Sequence, residues 1–387
     1  ENRVPEPVVL VLGCGIGGVV AAREARRLLP ASHRVIVIDR EAQASFPPSY
    51  LWVMTGERRP EAIRRRRAHL ARRGVEFVSA DVRQIDTVNR YVRADSREFH
   101  YDYLIVALGA ETTLEAKPGL AETAHTFYTL DGAERLAASL RYFAGGRLLI
   151  VIAGLPFKCP AAPYEAAMLL EHYFHSRRMR QKVEIELYTP ETLPLPVTGP
   201  ALGEAVVGLL AHKGIAFHPG KQLESVDGAK RVVAFADGET APFDMLIAVP
   251  EHRAPAVVQE AGLTGEGGWI AVDPATLETA QPNVFAIGDV TRIPLPDGLP
   301  LPKAGVFAEA QAQVVARNIA HRAAGGKRPE PFDGVGRCFL EVGGGAAAMA
   351  DGDFYARQRR IAMKQPSILW HWAKVAFEKY WLWRWYG

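Results

Sequence analysis

The stretch Val8–Gly18, VVLVLGCGIGG, is the first in the chain whose residue types could do chemistry. An apolar run ends in Gly13-Cys14-Gly15-Ile16-Gly17-Gly18, which fits G-x-G-x-x-G. In that pattern Gly13 turns the chain out of a strand, Gly15 lets backbone approach a pyrophosphate, and Gly18 lets the next helix pack on the strand. The phosphates then meet free N–H groups at the helix N-terminus. A second strand, Arg34–Ile38, ends at Asp39, an acid placed to accept bonds from ribose hydroxyls. These residues describe a dinucleotide site; a glycine turn with no ligand is the alternative.

Thiols are the second candidate chemistry. The chain has three cysteines, too few for a disulfide-stapled secreted fold. Cys14 lies inside the glycine loop, where it packs. Cys159 and Cys338 remain, far apart in sequence. Cys159 stands just before a predicted helix, Pro163–Phe174. The helix N-terminus and Lys158 would favour its thiolate. Glu165 is in reach as a proton acceptor or relay; the alternative is a first-turn carboxylate serving the helix dipole. Taken alone, the two cysteines read more simply as small buried apolar residues.

The bulk properties set the frame. At 387 residues the chain should make two or three domains. A net charge of +3 is too small to argue for nucleic acid. The arginines are uneven, with eight in Glu57–Arg73, which reads as a basic helix. Its charged face is either solvated or turned to anionic lipid heads. No apolar run is long enough to span a membrane. The start at Glu1 rather than Met leaves a removed leader open.

The elements that must position these residues come in two rounds. After Asp39 come the basic helix, a strand at Val75–Ser79, and a hairpin around Ala94-Asp95-Ser96. Tyr103–Val106 then runs into Ala107-Leu108-Gly109. The order repeats with Gly146–Ile152, the Pro163 helix, Val183–Tyr188, a helix at Gly203–Lys213, a short strand at Ile215–His218 and a hairpin at Asp237-Gly238. Both rounds close on aromatic-Asp-x-Leu-Ile, at Tyr101–Ile105 and Phe243–Ile247. Such repetition implies two nucleotide-binding folds in tandem. The second turn, Ala153-Gly154-Leu155-Pro156-Phe157-Lys158-Cys159, has one glycine where three are needed, so it has lost the dinucleotide. Gly268–Val272 and Asn283–Asp289 return the chain to the first fold. Lys303-x-Gly305 leads into a helix at Val306–Ile319, and Ile368–Tyr386 holds five of the seven tryptophans. Leu369, Trp372, Ala373, Ala376 and Tyr380 share one face of that helix, with Lys374 and Glu378 on another at i,i+4.

With these pieces placed, the chain resembles the two-dinucleotide-fold flavoprotein disulfide reductases. Within them it is most similar to the sulfide:quinone oxidoreductases and the related flavin subunit of flavocytochrome c sulfide dehydrogenase. The motifs that carry the resemblance are Gly13/Gly15/Gly18, Ala107 and Gly109, Gly288-Asp289, Phe157-Lys158-Cys159-Pro160-Ala161-Ala162-Pro163-Tyr164-Glu165, Lys303-x-Gly305 and the late Cys338. Two departures limit it. Ser45–Met54 has no cysteine for covalent flavin attachment, and Tyr128 stands where some relatives carry a third cysteine.

The resemblance implies an α/β fold of two tandem Rossmann-like domains, glutathione-reductase-like, with a C-terminal region. Residues 7–112 and 268–330 would bind FAD non-covalently, 113–267 would be the degenerate second domain, and 331–387 would hold the late cysteine and a membrane-interface helix. The cofactor residues would be Gly13, Gly15, Gly18, Asp39, Arg40, Val82, Ala107, Gly109, Asp289, Lys303 and Gly305. Cys159 and Cys338 would form a redox disulfide attacked by sulfide, with Glu165 beside them and Phe339 in a quinone pocket. No metal is implied. Electrons would pass through flavin to a membrane quinone, and Trp370–Tyr386 would lie on the inner cell membrane as a peripheral anchor. The same helix docked on the protein's own core, or on a partner copy in a homo-oligomer, is the alternative. Three other functions stand against this one: a flavin subunit donating to cytochrome c, an NAD(P)H-dependent quinone or disulfide reductase, and a flavin-binding protein whose cysteines merely pack. Missing flavin attachment disfavours the first, and the degraded second turn disfavours the second.

Overall fold

A computed structural model describes residues 6–359 and 361–387. Five parallel strands form the first sheet, in the spatial order Val284–Ala286, Tyr103–Val106, Val8–Leu12, Arg34–Asp39 and Glu76–Ser79. Its strands are continuous apolar runs because both faces are covered: Val9, Val35 and Ile105 face helices, while Leu10, Ile36 and Leu104 face Ile85, Val92 and Ala94. The Ile16–Leu28 and Gly305–Ala323 helices pack together on one face.

The second sheet repeats this plan with four parallel strands, in the order Ala216–His218, Val183–Tyr188, Gly146–Ile152 and Met245–Val249. The repeat extends to single bonds. Asp102 accepts the Val8 amide at 2.7 Å and returns its own amide to the Val8 carbonyl at 2.9 Å. Asp244 does the same with Arg147, at 2.8 Å each way. The aspartate shared by the two closing motifs therefore pins the start of the neighbouring central strand in each sheet.

Two local expectations are corrected. The stretch around Ala94-Asp95-Ser96 is a three-stranded meander, Val82–Asp86, Tyr91–Ala94 and Arg97–His100, because Val82–Asp86 also pairs with Tyr91–Ala94. The arginine-rich segment is not one helix. It breaks into Pro60–Ile63, a strand at Arg64–Arg66 and a 3-10 turn at Arg67–Arg73. Tertiary partners draw its arginines apart: Arg58 to Glu378, Arg64 to Glu134, and Arg67 to Asp39.

Three antiparallel strands, Val335–Gly343, Ala346–Asp353 and Ala362–Ser367, lead into a final helix, Ile368–Tyr386. That helix docks through Lys374, Glu378, Trp381, Leu382, Trp385 and Tyr386, which are buried. Lys374 and Glu378 do not pair along the helix as their i,i+4 spacing suggests. Lys374 reaches Glu165 at 3.1 Å and Glu378 meets Arg58 at 3.0 Å. Lys374 and Glu378 are turned inward with Trp381, Trp385 and Tyr386, while Leu369, Trp372, Tyr380 and Trp383 face outward, Leu369 74% exposed and Trp383 68% exposed.

Candidate functional site

The glycine loop is built as its sequence requires. Gly13 has φ +86° and gives its amide to the Ile38 carbonyl at 2.8 Å. A Cβ there would stand 2.3 Å from the Ala107 carbonyl oxygen, and one on Gly18 would stand 1.9 Å from that of Gly13. Gly15 differs, with no atom within 4 Å of where a Cβ would lie. Open space in front of that residue is the cradle a dinucleotide pyrophosphate needs.

Asp39 is half-buried and accepts from the Cys14 amide at 2.7 Å, the Glu41 amide at 2.9 Å and Arg67 Nη1 at 2.7 Å. Arg67 is buried and also donates Nε to the Cys14 carbonyl at 3.3 Å, where the Tyr386 hydroxyl donates too, at 3.4 Å. Thus the last helical residue of the chain rests against the glycine loop. Ala107 gives its amide to Leu12 at 2.7 Å, and Gly109, with φ +70°, faces open space. Arg40 is exposed, and the Ala80 amide bonded to the Asp39 carbonyl at 3.1 Å brings half-buried Val82 to the same edge.

A second cluster forms where the two sheets' loops face each other. Lys303 donates to the Asp289 and Thr291 carbonyls at 2.8 Å each, and its ammonium sits 3.4 Å over the Trp269 ring. Burial pushes its pKa down to about 8. The Lys303 carbonyl in turn accepts the Cys159 amide at 2.7 Å. Burial raises the Asp289 carboxyl above its usual range, with Lys158 and Lys303 opposing. Gly305 opens the Gly305–Ala323 helix, and a Cβ there would stand 2.6 Å from Ile16, so two helix N-termini converge on this region.

Cys159 has φ +54° and sits in the turn before the Ala162–Ser176 helix. The expectation of a favoured thiolate is corrected. Burial, then Glu165, Cys338 and Asp289, push its pKa up to about 12, and Lys158 only partly offsets them. Cys338, on Val335–Gly343, lies close enough to be among those causes; it is solvent-accessible, yet enclosed enough that burial and then Glu165 push its own pKa up to about 11. Both are free thiols. Glu165 is buried, and its Oε1 accepts the Glu341 amide at 2.9 Å and Lys374 Nζ at 3.1 Å. Glu341 is buried as well, which raises its pKa, and it meets His371 Nδ1 at 3.0 Å and Lys374 at 3.8 Å. Phe339 is half-buried, and strand alternation puts it on the face opposite Cys338.

Arg67, Glu341, Lys374 and Glu251 were not singled out for the site from sequence. Glu251 closes the second turn: a Cβ on Gly154 would stand 2.5 Å from its carboxylate oxygen. A carboxyl group thus occupies the side of Gly154 that a pyrophosphate would need.

The described chain holds one open dinucleotide cradle, one obstructed one, and two thiols between them. The family model for pyridine nucleotide-disulphide oxidoreductases matches residues 7–314. The mitochondrial sulfide:quinone oxidoreductase of Mus musculus is 27% identical over 90% of this chain and 78% of its own length. The sulfide-quinone reductase of Aquifex aeolicus is 26% identical over 97% of this chain and 90% of its own. The solved structure of the Aquifex aeolicus sulfide:quinone oxidoreductase superposes with a TM-score of 0.89 at 25% identity, covering 98% of this chain and 91% of that one.

Proposed function

The chain belongs to the pyridine nucleotide-disulphide oxidoreductase family, and from that premise we propose that it is a flavoprotein oxidising sulfide to zero-valent sulfur with a quinone as acceptor. What supports this reading is that Cys338 stands among the charges felt at Cys159, whose amide donates to the Lys303 carbonyl at 2.7 Å near Asp289. Similarity to two sulfide:quinone oxidoreductases along nearly the whole chain supports it.

Residues 7–112 and 268–330 form the FAD domain in this reading, 113–267 the second domain, and 331–387 the C-terminal region. Gly13, Gly15, Gly18, Asp39, Ala107, Gly109, Asp289, Lys303 and Gly305 would hold FAD without a covalent bond, with Arg40 and Val82 at the rim. Held there, FAD would supply a two-electron acceptor between the cysteine pair and the quinone. Oxidised Cys159 and Cys338 share a disulfide that a sulfur nucleophile attacks. The S–S bond breaks, the incoming sulfur forms a persulfide on one cysteine, and the electron pair of the broken bond leaves on the other as thiolate. Both thiols are costly to ionise here, so the site needs a cation and a proton acceptor. Lys374 stabilises charge beside Cys338, and Glu165 with Glu341 takes up the proton.

The outer face of the final helix, with Leu369, Trp372, Phe377, Tyr380 and Trp383 exposed, would lie on a membrane surface as a peripheral anchor, and Phe339 would line the quinone pocket. No helix among the described residues is long and apolar enough to cross a membrane. Glu251 over Gly154 argues against a nicotinamide donor. Anaerobic mixing separates the readings: sulfide should bleach the flavin band and NADH should not. Bleaching by NADH alone would overturn the proposal.

A further inference from the structure

Two buried polar atoms near the Pro156–Cys159 turn have no hydrogen-bond partner among the described residues: the Tyr128 hydroxyl and His252 Nε2. Tyr128 is 5% exposed and His252 is 1% exposed. Their rings meet edge to face with centroids 5.2 Å apart. The residues come from the two crossings between the sheets. Tyr128 leads into the Leu130–Tyr142 helix, and His252 pairs back onto Thr112.

Both are tied to the cysteine turn. The His252 amide donates to the Pro156 carbonyl at 2.8 Å, three residues before Cys159. Tyr128 lies within electrostatic reach of Cys159. The histidine's protonation follows from its bonds: Nδ1 sits 2.8 Å from the Pro250 carbonyl, so Nδ1 carries the hydrogen and Nε2 offers a lone pair. Burial, with Lys158 next, pushes its pKa down to about 3, so the ring stays neutral. A buried polar atom without a partner is costly, so such atoms are rare unless something satisfies them. One donor and one acceptor, both unsatisfied, on rings whose centroids lie 5.2 Å apart, suit a small molecule that can accept from the first and donate to the second.

We propose that Tyr128 and His252 bind a sulfur hydride behind Cys159, the hydroxyl donating to its sulfur and Nε2 accepting its S–H. The proposal rests on the sulfide-oxidising reading and names where the substrate waits. Tyr128 and His252 are positioning residues: they hold the nucleophile, and Cys159 or Cys338 reacts with it.

Tyr128→Phe removes the hydroxyl alone. Losing that one bond should raise the sulfide concentration for half-maximal flavin bleaching about tenfold, with the limiting rate falling far less. His252→Leu should act in the same direction. An unchanged half-saturating concentration in Tyr128→Phe would overturn the proposal. A second measurement needs no turnover. Crystals of the holoprotein exposed to selenide, the heavier hydride, should show anomalous selenium between Tyr128 and His252; a water or empty space there would overturn the site. Selenium held in a protein whose flavin sulfide does not bleach would sink the proposed function and leave this site standing.

Discussion

Lys374 and Glu165 meet at 3.1 Å inside the protein, one on the final helix and the other on the helix that follows Cys159. The bond ties the C-terminal region to the cysteine pair. Glu341 lies 3.8 Å from the same ammonium, so one cation serves two buried carboxylates. Lys374→Met should cost about 3–5 kcal/mol, because it strands buried charge. Denaturant unfolding would measure it. Adding Glu165→Gln should recover part of the loss, and a midpoint equal to that of the unaltered protein would refute the pairing.

The glycines of the first loop give a prediction that separates fold from ligand. Gly15→Ala adds a methyl where the chain leaves open space, so folding should survive while flavin is lost from the purified protein. Gly18→Ala forces a methyl to 1.9 Å from a carbonyl oxygen and should lower stability by about 1–3 kcal/mol. Absorbance of retained flavin, read beside thermal unfolding, distinguishes the two. Full flavin content in Gly15→Ala would place the pyrophosphate elsewhere.

The two faces of the final helix should respond differently. Trp372→Glu and Tyr380→Glu alter the exposed face and should abolish co-sedimentation with anionic vesicles without moving the unfolding midpoint. Trp381→Ala alters the docked face, where the indole donates to Glu309 at 3.1 Å and packs 4.9 Å from Phe46, and should cost about 3–5 kcal/mol. Undiminished vesicle binding in the double glutamate variant would contradict a membrane role for that face.

Glu191 offers a test by pH. Burial raises its carboxyl to about 7, while Tyr164 donates to it at 3.1 Å. A raised folded-state pKa means the protonated form is favoured by folding. Its contribution is therefore complete below the unfolded value near 4.5 and is lost as pH rises through about 7. Glu191→Gln mimics the protonated group. It should match the native protein's thermal midpoint at pH 4 and exceed it at pH 8. Equal midpoints at both values would show that the carboxyl titrates normally.

Much of this architecture is legible because it is local. The strands Gly146–Ile152 and Val183–Tyr188 and the helix Ile368–Tyr386 fall where apolar period and turn residues put them. The loop Gly13–Gly18 takes the conformation its spacing demands. What resists reading is set by distant partners. Nothing in a run of eight arginines marks Arg67 as the one that goes inside, since Asp39 and the Cys14 carbonyl decide it. By amphipathic rules the face with Leu369, Trp372 and Tyr380 turns to a membrane or a core, and Lys374 and Glu378 lie on another face. Glu165 and Arg58, far away in sequence, draw Lys374 and Glu378 inward instead. The local sequence around Cys159 shows its helix and Lys158, but burial, Glu165 and the distant Cys338 and Asp289 dominate. Tyr128 and His252 meet only through the two crossings, which no local pattern announces.

The central claim is that sulfide electrons enter through Cys159 and Cys338. Anaerobic stopped-flow mixing of sulfide with oxidised holoprotein, followed at the flavin band, tests it most directly. The native protein should bleach, while Cys159→Ser and Cys338→Ser should keep their flavin and lose bleaching by at least about a thousandfold, as expected when a nucleophilic route is removed. Bleaching of either variant at the native rate would contradict the account.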